Sequence, residues 1–169
     1  MTAKERFRIV AVGGTFDKFH KGHRALIMKA FEVGEHVLIG LCTDDFALKL
    51  GKNHEVAPYE DRLKELEAFL KKNNFSGRFR IIPLNDAYGP TISDEEIEAI
   101  VVSEETAARA EEINKIRRER GLKPLNIIVI RMVPAEDKIS ISSTRIHRGE
   151  IDREGRLILQ HERKESLDS

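Results

Sequence analysis

The chain has 169 residues, and its 29 Lys+Arg balance its 29 Asp+Glu, so the formal net charge at neutral pH is zero. This length fits one domain, and the zero charge argues against a surface built throughout to hold nucleic acid or anionic lipid. A single cysteine, Cys42, excludes an internal disulfide and a multi-cysteine zinc site. Since no apolar run approaches the roughly 20 residues of a membrane span, we expect a cytoplasmic protein without membrane or nucleic-acid partners.

Short β-branched runs alternate with helical patterns, which is typical of an α/β domain with a parallel sheet. The first half of the chain predicts a strand at Arg6–Val12, a helix at Lys21–Val33 ended by Gly34, a strand at His36–Thr43 and a helix opening at Pro58. The second half predicts a strand at Arg78–Leu84, a short helix after Ser93–Glu96, a strand at Ile100–Val102, a helix at Glu104–Glu119, a strand at Asn126–Val133 and a last helix from Ser142–Thr144.

We therefore predict a Rossmann-like, doubly wound five-stranded parallel sheet with helices on both faces. Ligands of such sheets bind beyond the carboxyl ends of the strands, where the strand order reverses. Residues 1–151 are expected to form the domain, with 152–169 as its charged C-terminal extension.

The strongest motif runs from Gly13 to His23, GGTFDKFHKGH, between the first strand and the first helix. Its two leading glycines permit a sharp turn and a close approach of the backbone to a ligand. The helix start adds N–H groups and a partial positive charge that suit an anion. His20 and His23 can both face that anion. Two alternatives are helix capping and a His-x-x-His metal pair, although the second lacks the glutamate of H-E-x-x-H.

A second motif, Ile139–Arg145 with the sequence ISISSTR, follows the last predicted strand. Three hydroxyl residues at a helix start are typical of N-capping. They also suit phosphate binding, because a second helix start at the same sheet edge converges with the first on one polyphosphate. Lys138, Arg145 or Arg148 is expected to add positive charge there.

A third feature is the segment Asp44–Lys52, which we predict to be mobile and which holds two lysines. A lysine on such a segment, Lys49 or Lys52, suits the stabilisation of a charged transition state. The alternative is an ordinary solvated surface run.

Together, GGTFDKFHKGH and ISSTR resemble the nucleotidyltransferase superfamily with H-x-G-H and I-S-S-S/T motifs. Segments in the middle of the chain are similar to those of the archaeal/eukaryotic-type phosphopantetheine adenylyltransferases. These segments are APYEDR (Ala57–Arg62), DAYGPT (Asp86–Thr91), VSEET (Val102–Thr106) and INKIR (Ile113–Arg117), and the resemblance covers most of residues 7–150.

The resemblance implies transfer of AMP from ATP to 4′-phosphopantetheine, giving dephospho-coenzyme A and pyrophosphate by direct in-line attack. It implies Mg²⁺ carried by ATP and no metal site of the protein itself. The implied catalytic residues are His20, His23, Lys49 and Lys52. The implied ATP-binding residues are Gly13, Gly14, Thr15, Phe16, His20, His23, Ser103, Arg117, Ser142, Ser143 and Thr144. The implied acceptor-binding residues are Thr15, Asp17, Lys49, Tyr88, Glu105 and Asn114.

Two other functions stay open at this point. One is another transferase of the superfamily, either a cytidylyltransferase acting on a phosphorylated alcohol or an FMN or NMN adenylyltransferase. The other is a non-catalytic module that binds a nucleotide or coenzyme A. For Asn114 and Arg117, a solvated helix face competes with a role in the site, and the oligomeric state is not predicted.

Overall fold

A computed structural model describes residues 5–51 and 54–159. Its sheet consists of parallel strands in the order β3-β2-β1-β4-β5. The strands are β1 (Phe7–Gly14), β2 (Gly34–Cys42), β3 (Phe79–Leu84), β4 (Ala99–Ser103) and β5 (Asn126–Ile130). The order reverses between β1 and β4, so a crevice opens at the carboxyl ends of these two strands. The predicted Rossmann-like doubly wound sheet is confirmed.

Helices cover both faces of this sheet. They are α1 (Lys21–Val33), α2 (Asp44–Lys49), α3 (Tyr59–Lys72), α4 (Ala107–Glu119) and α5 (Ser143–His147). Successive side chains of a strand point to opposite faces. Val10 of β1 accordingly packs in a core with Ile27 of α1 and Leu66 of α3, and its neighbour Ala11 packs in a second core with Ile113 of α4. Two apolar layers thus hold the sheet rigid beneath the crevice.

The predicted elements differ from the structure in several places; for example, β5 ends at Ile130 rather than Val133, and α4 begins at Ala107 rather than Glu104. β1 continues past Val12, because Gly13 and Gly14 still pair with β2. The helix predicted after Ser93–Glu96 is absent, since the Asp94 carboxylate accepts the Glu96 N–H at 2.9 Å and closes a turn instead. The segment predicted to be mobile begins as α2, whose first turn is capped by the Thr43 hydroxyl.

The described part of the C-terminal extension packs against the domain. The Lys21 N–H at the start of α1 donates to the Arg153 carbonyl at 2.9 Å, and Arg153 pairs with Glu65 of α3 at 2.6 Å. Arg24 of α1 pairs with Glu154. Within residues 5–51 and 54–159, no helix combines the length and the apolar character that crossing a membrane requires.

Candidate active site

Two adjoining cavities open at the carboxyl ends of the strands, and both are lined by Gly13, Gly14, Thr15, Leu26 and Thr106. The larger cavity, of about 460 Å³, is lined mainly by apolar side chains of the sheet, of α4 and of the segment after β3. The smaller cavity, of about 200 Å³, is lined by the β1–α1 turn, by the loops after β4 and β5 and by the start of α5. Two ligands can therefore meet at Thr15.

The structure brings most of the predicted site residues to these cavities. The smaller cavity is lined by Phe16, Asp17, His20, His23, Ser103, Glu105, Ser142 and Ser143 in addition to the shared residues. The larger cavity adds Tyr88 and Thr144. The two helix starts predicted to converge, those of α1 and α5, do border one cavity.

Two stacked histidines begin α1. The Nδ1 atom of His20 accepts hydrogen bonds from the Gly22 N–H at 3.0 Å and the His23 N–H at 3.3 Å. In return, the Nδ1 atom of His23 accepts from the His20 N–H at 3.2 Å, and the ring centroids lie 3.6 Å apart. Since each Nδ1 accepts, each neutral ring carries its hydrogen on Nε2. Capping thus fixes the tautomer that makes both rings Nε2–H donors.

Gly22 is required by the position of the His20 ring. A Cβ atom at this position would lie 2.9 Å from Cε1 of His20. Any side chain would therefore displace the ring from its capping position. Glycine is therefore needed at this position to leave space for the His20 ring, and not to allow an unusual backbone conformation.

The β1–α1 turn is held in a strained conformation by a buried aromatic side chain. Phe16 and Lys18 both have φ of +53°, a left-handed conformation that costs about 1–3 kcal/mol for a residue other than glycine. The Phe16 ring is 1% exposed and lies edge-on to His23, with centroids 5.3 Å apart. We conclude that its ring anchors the turn and supports His23, while Phe16 also borders the smaller cavity, so its assignment to ATP binding stays a prediction.

Arg62 of α3 joins the turn to the neighbouring segments. Its side chain is buried, and it donates to the carbonyls of Thr15 at 3.0 Å, Cys42 at 2.7 Å and Ala57 at 2.7 Å. It also donates to the Asp44 carboxylate at 2.9 Å. Arg62 belongs to the APYEDR motif, but no role was predicted for it from the sequence. It positions the backbone at the junction of the cavities.

The DAYGPT segment forms a tight turn at the larger cavity. The Asp86 carboxylate accepts from the N–H groups of Tyr88 at 2.9 Å and Gly89 at 2.7 Å. Gly89 has φ of +52°, and a Cβ there would lie 2.6 Å from Leu84. This turn places Tyr88 and Pro90 in the wall of the larger cavity.

One of the two predicted catalytic lysines, Lys49, belongs to the described residues. Lys49 is exposed at the end of α2 and lines neither of the two cavities. Its neighbours Phe46 and Leu50 line the larger cavity instead. Lys52 lies outside the described residues.

Two predicted site residues have structural roles instead, Asn114 for the acceptor and Arg117 for ATP. Arg117 is 1% exposed, and it donates to the carbonyls of Thr91 at 2.8 Å and Lys123 at 2.7 Å. Asn114 exchanges two hydrogen bonds with the backbone of Leu125. Neither residue lines the larger or the smaller cavity. The alternative of a solvated helix face is also wrong, because both residues are buried on α4 and bond to the backbone of adjoining loops.

Arg145 braces the loop before α5 and is not a spare positive charge. It pairs with Asp137 and with Glu150, the latter at 2.9 Å, and it donates to the Ser140 carbonyl at 3.2 Å. The hydrogen bond from Arg145 holds the pKa of the Asp137 carboxyl below its ordinary value. Its charge is thus offset by two carboxylates, which corrects the expectation that it adds to the anion-binding potential.

We expect Asp137→Asn to reduce the loss of stability in acid. A carboxyl whose pKa is depressed on folding stabilises the folded state above the unfolded pKa, and this contribution is lost as the pH falls through the folded pKa. Urea unfolding over a pH series should therefore show a smaller acid-dependent loss in the variant than in the wild type. Glu95→Gln, at an exposed position, is the control. Equal loss in the wild type and Asp137→Asn would contradict the pairing.

Sequence reasoning missed several residues that border the site. The loop after β5 contributes Arg131, Met132 and Val133 to the smaller cavity. His54 is buried beside Asp17 and Thr144, from which it is separated by 37 and 90 positions in the chain. No local pattern signals such a contact.

Comparison with known proteins places the chain among nucleotide-handling enzymes. A family model described as cytidylyltransferase-like matches residues 11–149. The phosphopantetheine adenylyltransferase of Methanothermobacter thermautotrophicus is 52% identical, with 92% of each chain covered. The protein of the same name from Pyrococcus furiosus is 44% identical, covering 95% of this chain and 99% of its own.

Solved structures show the same architecture. A protein of unknown function from Archaeoglobus fulgidus is 27% identical, with a TM-score of 0.65 over 79% of this chain and 98% of its own. The tyrosyl-tRNA synthetase of the same organism is 11% identical, with a TM-score of 0.59 over 84% of this chain and 60% of its own. The second likeness concerns the fold alone.

Proposed function

The chain belongs to the cytidylyltransferase-like family, and within it we propose that the protein is the adenylyltransferase of coenzyme A biosynthesis that acts on 4′-phosphopantetheine. It transfers AMP from ATP to this acceptor, giving dephospho-coenzyme A and pyrophosphate. Relatives at 44–52% identity over most of the chain carry the name phosphopantetheine adenylyltransferase. The structural observation that carries the proposal is the junction of two cavities at Thr15, beside paired histidine donors.

Each cavity suits one substrate. We assign ATP to the smaller cavity, where its phosphates lie against His20, His23, Ser142 and Ser143. The larger, mainly apolar cavity suits the pantetheine arm, because such a wall buries the methyl and methylene groups of the arm. With Tyr88 along this wall, the acceptor phosphate reaches Thr15 at the junction.

In this arrangement the acceptor phosphate attacks the α-phosphorus of ATP in line, and pyrophosphate leaves without a protein nucleophile. Catalysis is then positioning plus neutralisation of charge. The Nε2–H groups of His20 and His23 donate to phosphate oxygens, and such contacts strengthen as negative charge develops in the transition state. Ser142 and Ser143 hold the departing pyrophosphate. Lys49, the last residue of α2, or Lys52 supplies a further cation.

We propose that Mg²⁺ enters with ATP. Among residues 5–51 and 54–159, no three His, Cys, Asp or Glu side chains form a group that could hold a metal ion. Mg²⁺ beside a nucleotide is usually held by phosphate oxygens and water.

We also propose that the protein works in the cytoplasm, as one domain of residues 1–151 with 152–169 as its extension. The sequence contains a single cysteine, so it cannot form an internal disulfide, which suits a reducing compartment. The contacts of Arg153 and Glu154 with α1 and α3 support treating the extension as part of the domain.

A pyrophosphate-release assay tests the proposed reaction. Purified protein with MgATP or MgCTP is offered 4′-phosphopantetheine, FMN, NMN or a phosphorylated alcohol, with acceptor-free mixtures as the control. We expect turnover only with ATP and 4′-phosphopantetheine. Activity restricted to CTP or to another acceptor would assign a different transferase reaction. ATP binding without turnover of any acceptor would indicate a non-catalytic module.

A further inference from the structure

His54 connects two elements of the candidate site. Its Nε2 atom lies 3.0 Å from Oδ2 of Asp17 in the β1–α1 turn, and its Nδ1 atom lies 3.1 Å from Oγ1 of Thr144 in α5. The side chains of His54 and Asp17 are each 1% exposed. The other oxygen of Asp17 accepts the Ala57 N–H at 3.0 Å. A buried chain of hydrogen bonds, Asp17–His54–Thr144, thus runs from the turn to α5.

The chemistry of these groups fixes the direction of each bond. An ionised carboxylate only accepts, so the Nε2 atom of His54 carries a hydrogen and donates it to Asp17. In a neutral ring the Nδ1 atom is then an acceptor, and the Thr144 hydroxyl donates to it. A hydroxyl has one hydrogen. While His54 is neutral, Thr144 therefore has no hydrogen to offer another acceptor.

Thr144 lies where a phosphate is expected. It lines the larger cavity together with Thr15, whereas its neighbours Ser142 and Ser143 line the smaller one. An ionised phosphate oxygen accepts hydrogen bonds and does not donate them. A neutral His54 thus directs the hydroxyl hydrogen of Thr144 away from the bond that a phosphate needs.

We propose that His54 is a positioning residue that acts through Thr144 when a phosphate group binds. His54 takes a proton from solvent on Nδ1, donates it to Oγ1 of Thr144, and so turns the Thr144 hydroxyl hydrogen toward a phosphate oxygen. No covalent bond other than this N–H forms. The inference rests on the proposed function, because that function brings the phosphates of ATP and of 4′-phosphopantetheine to the junction.

Charged and titratable groups face His54 from several elements. Asp17 faces it from the β1–α1 turn, and Asp44 of α2 and Glu55 of its own segment border a cavity of about 300 Å³ that His54 also lines. His147 of α5 stacks on it with centroids 5.2 Å apart. The bound phosphate adds further negative charge on the Thr144 side.

Two substitutions of His54 test its hydrogen bonds to Asp17 and to Thr144 one at a time. In His54→Gln the amide occupies the place of Nε2, so the bond to Asp17 is kept and the bond to Thr144 is lost. In His54→Asn the amide occupies the place of Nδ1, so its N–H₂ group donates to Thr144 without any titration. Proton uptake and phosphate affinity are therefore expected to respond differently in these two variants.

The measurement is calorimetric titration with MgATP and, separately, with 4′-phosphopantetheine, in two buffers of different ionisation enthalpy. We expect the wild type to take up more protons than His54→Gln does when one of the two ligands binds. His54→Gln should bind that same ligand about tenfold more weakly than the wild type, as for the loss of one hydrogen bond to a charged group. His54→Asn should lose the proton uptake and keep wild-type affinity. Whichever ligand shows the difference is the one whose phosphate contacts Thr144.

Matched variants complete the test. His36→Gln, at an exposed position at the opposite end of β2, should leave proton uptake unchanged, whereas Thr144→Val should abolish the extra uptake with His54 in place. If the His54 variants do not fold, the comparison of proton uptake between the wild type and Thr144→Val still tests the proposal. Equal uptake in the wild type, His54→Gln and Thr144→Val would overturn this inference alone. A wild-type protein that binds neither ligand would overturn the proposed function as well.

Discussion

Replacing His20 with alanine is expected to lower kcat by about 10²–10³-fold, as for the loss of one preorganised donor to a developing anion. The Nε2–H bond should strengthen in the transition state, so the KM for ATP should rise far less than kcat falls. The same substitution removes the cap of α1, in which Nδ1 accepts from Gly22 and His23. Its loss should cost about 1 kcal/mol of folding free energy.

His20→Asn distinguishes these two roles. Asparagine is a favourable N-cap residue, and its amide oxygen takes the place of Nδ1 while no donor remains at the place of Nε2. We expect its thermal unfolding to match that of the wild type and its kcat to match that of His20→Ala. Steady-state pyrophosphate release and a melting curve measure both quantities. Recovery of kcat in the asparagine variant would show that His20 acts only as a cap.

Exchanging Arg62 for methionine is expected to lower the free energy of unfolding by about 3–5 kcal/mol, because several backbone acceptors lose their donor. Methionine fills similar space but donates no hydrogen bond. The carbonyls of Thr15, Cys42 and Ala57 would lose their bonds from Arg62, and each buried unsatisfied acceptor costs about 1–3 kcal/mol. Because Thr15 lies at the junction of the cavities, residual activity at low temperature should fall as well.

Arg153→Met is the matched control for this prediction. Arg153 pairs with Glu65 at 2.6 Å, and both side chains are more than 40% exposed. Exposed pairs contribute about 0–1 kcal/mol, so this variant should unfold at nearly the wild-type denaturant concentration. Urea unfolding of both variants compares a buried and an exposed arginine in one protein. A loss of less than about 1 kcal/mol in Arg62→Met would contradict the role assigned to Arg62.

The local elements could be predicted because their signals are themselves local. The helix α1 is found at the predicted bounds, Lys21–Val33, since its apolar residues recur at helical spacing and face one core. The prediction of secondary structure was wrong where a short polar side chain bonds to the nearby backbone, as Asp94 does. It was also wrong where two glycines remain paired in a strand, as Gly13 and Gly14 do. In both places, propensity alone does not show which backbone partner is present.

Local patterns along the chain predicted the parallel sheet, the turn with its two histidines and the resemblance to a family. Periodicity follows from the geometry of a single helix or strand, and a phosphate-binding turn needs its residues next to one another. The partners of the buried polar groups, in contrast, became known only from the arrangement of the segments in space. Arg117, placed near ATP from its motif, caps loop carbonyls instead, whereas His54, which no motif marked, bridges Asp17 and Thr144. Every buried donor must find an acceptor, and whether that acceptor is a ligand or a distant segment depends on how the chain is brought together in space.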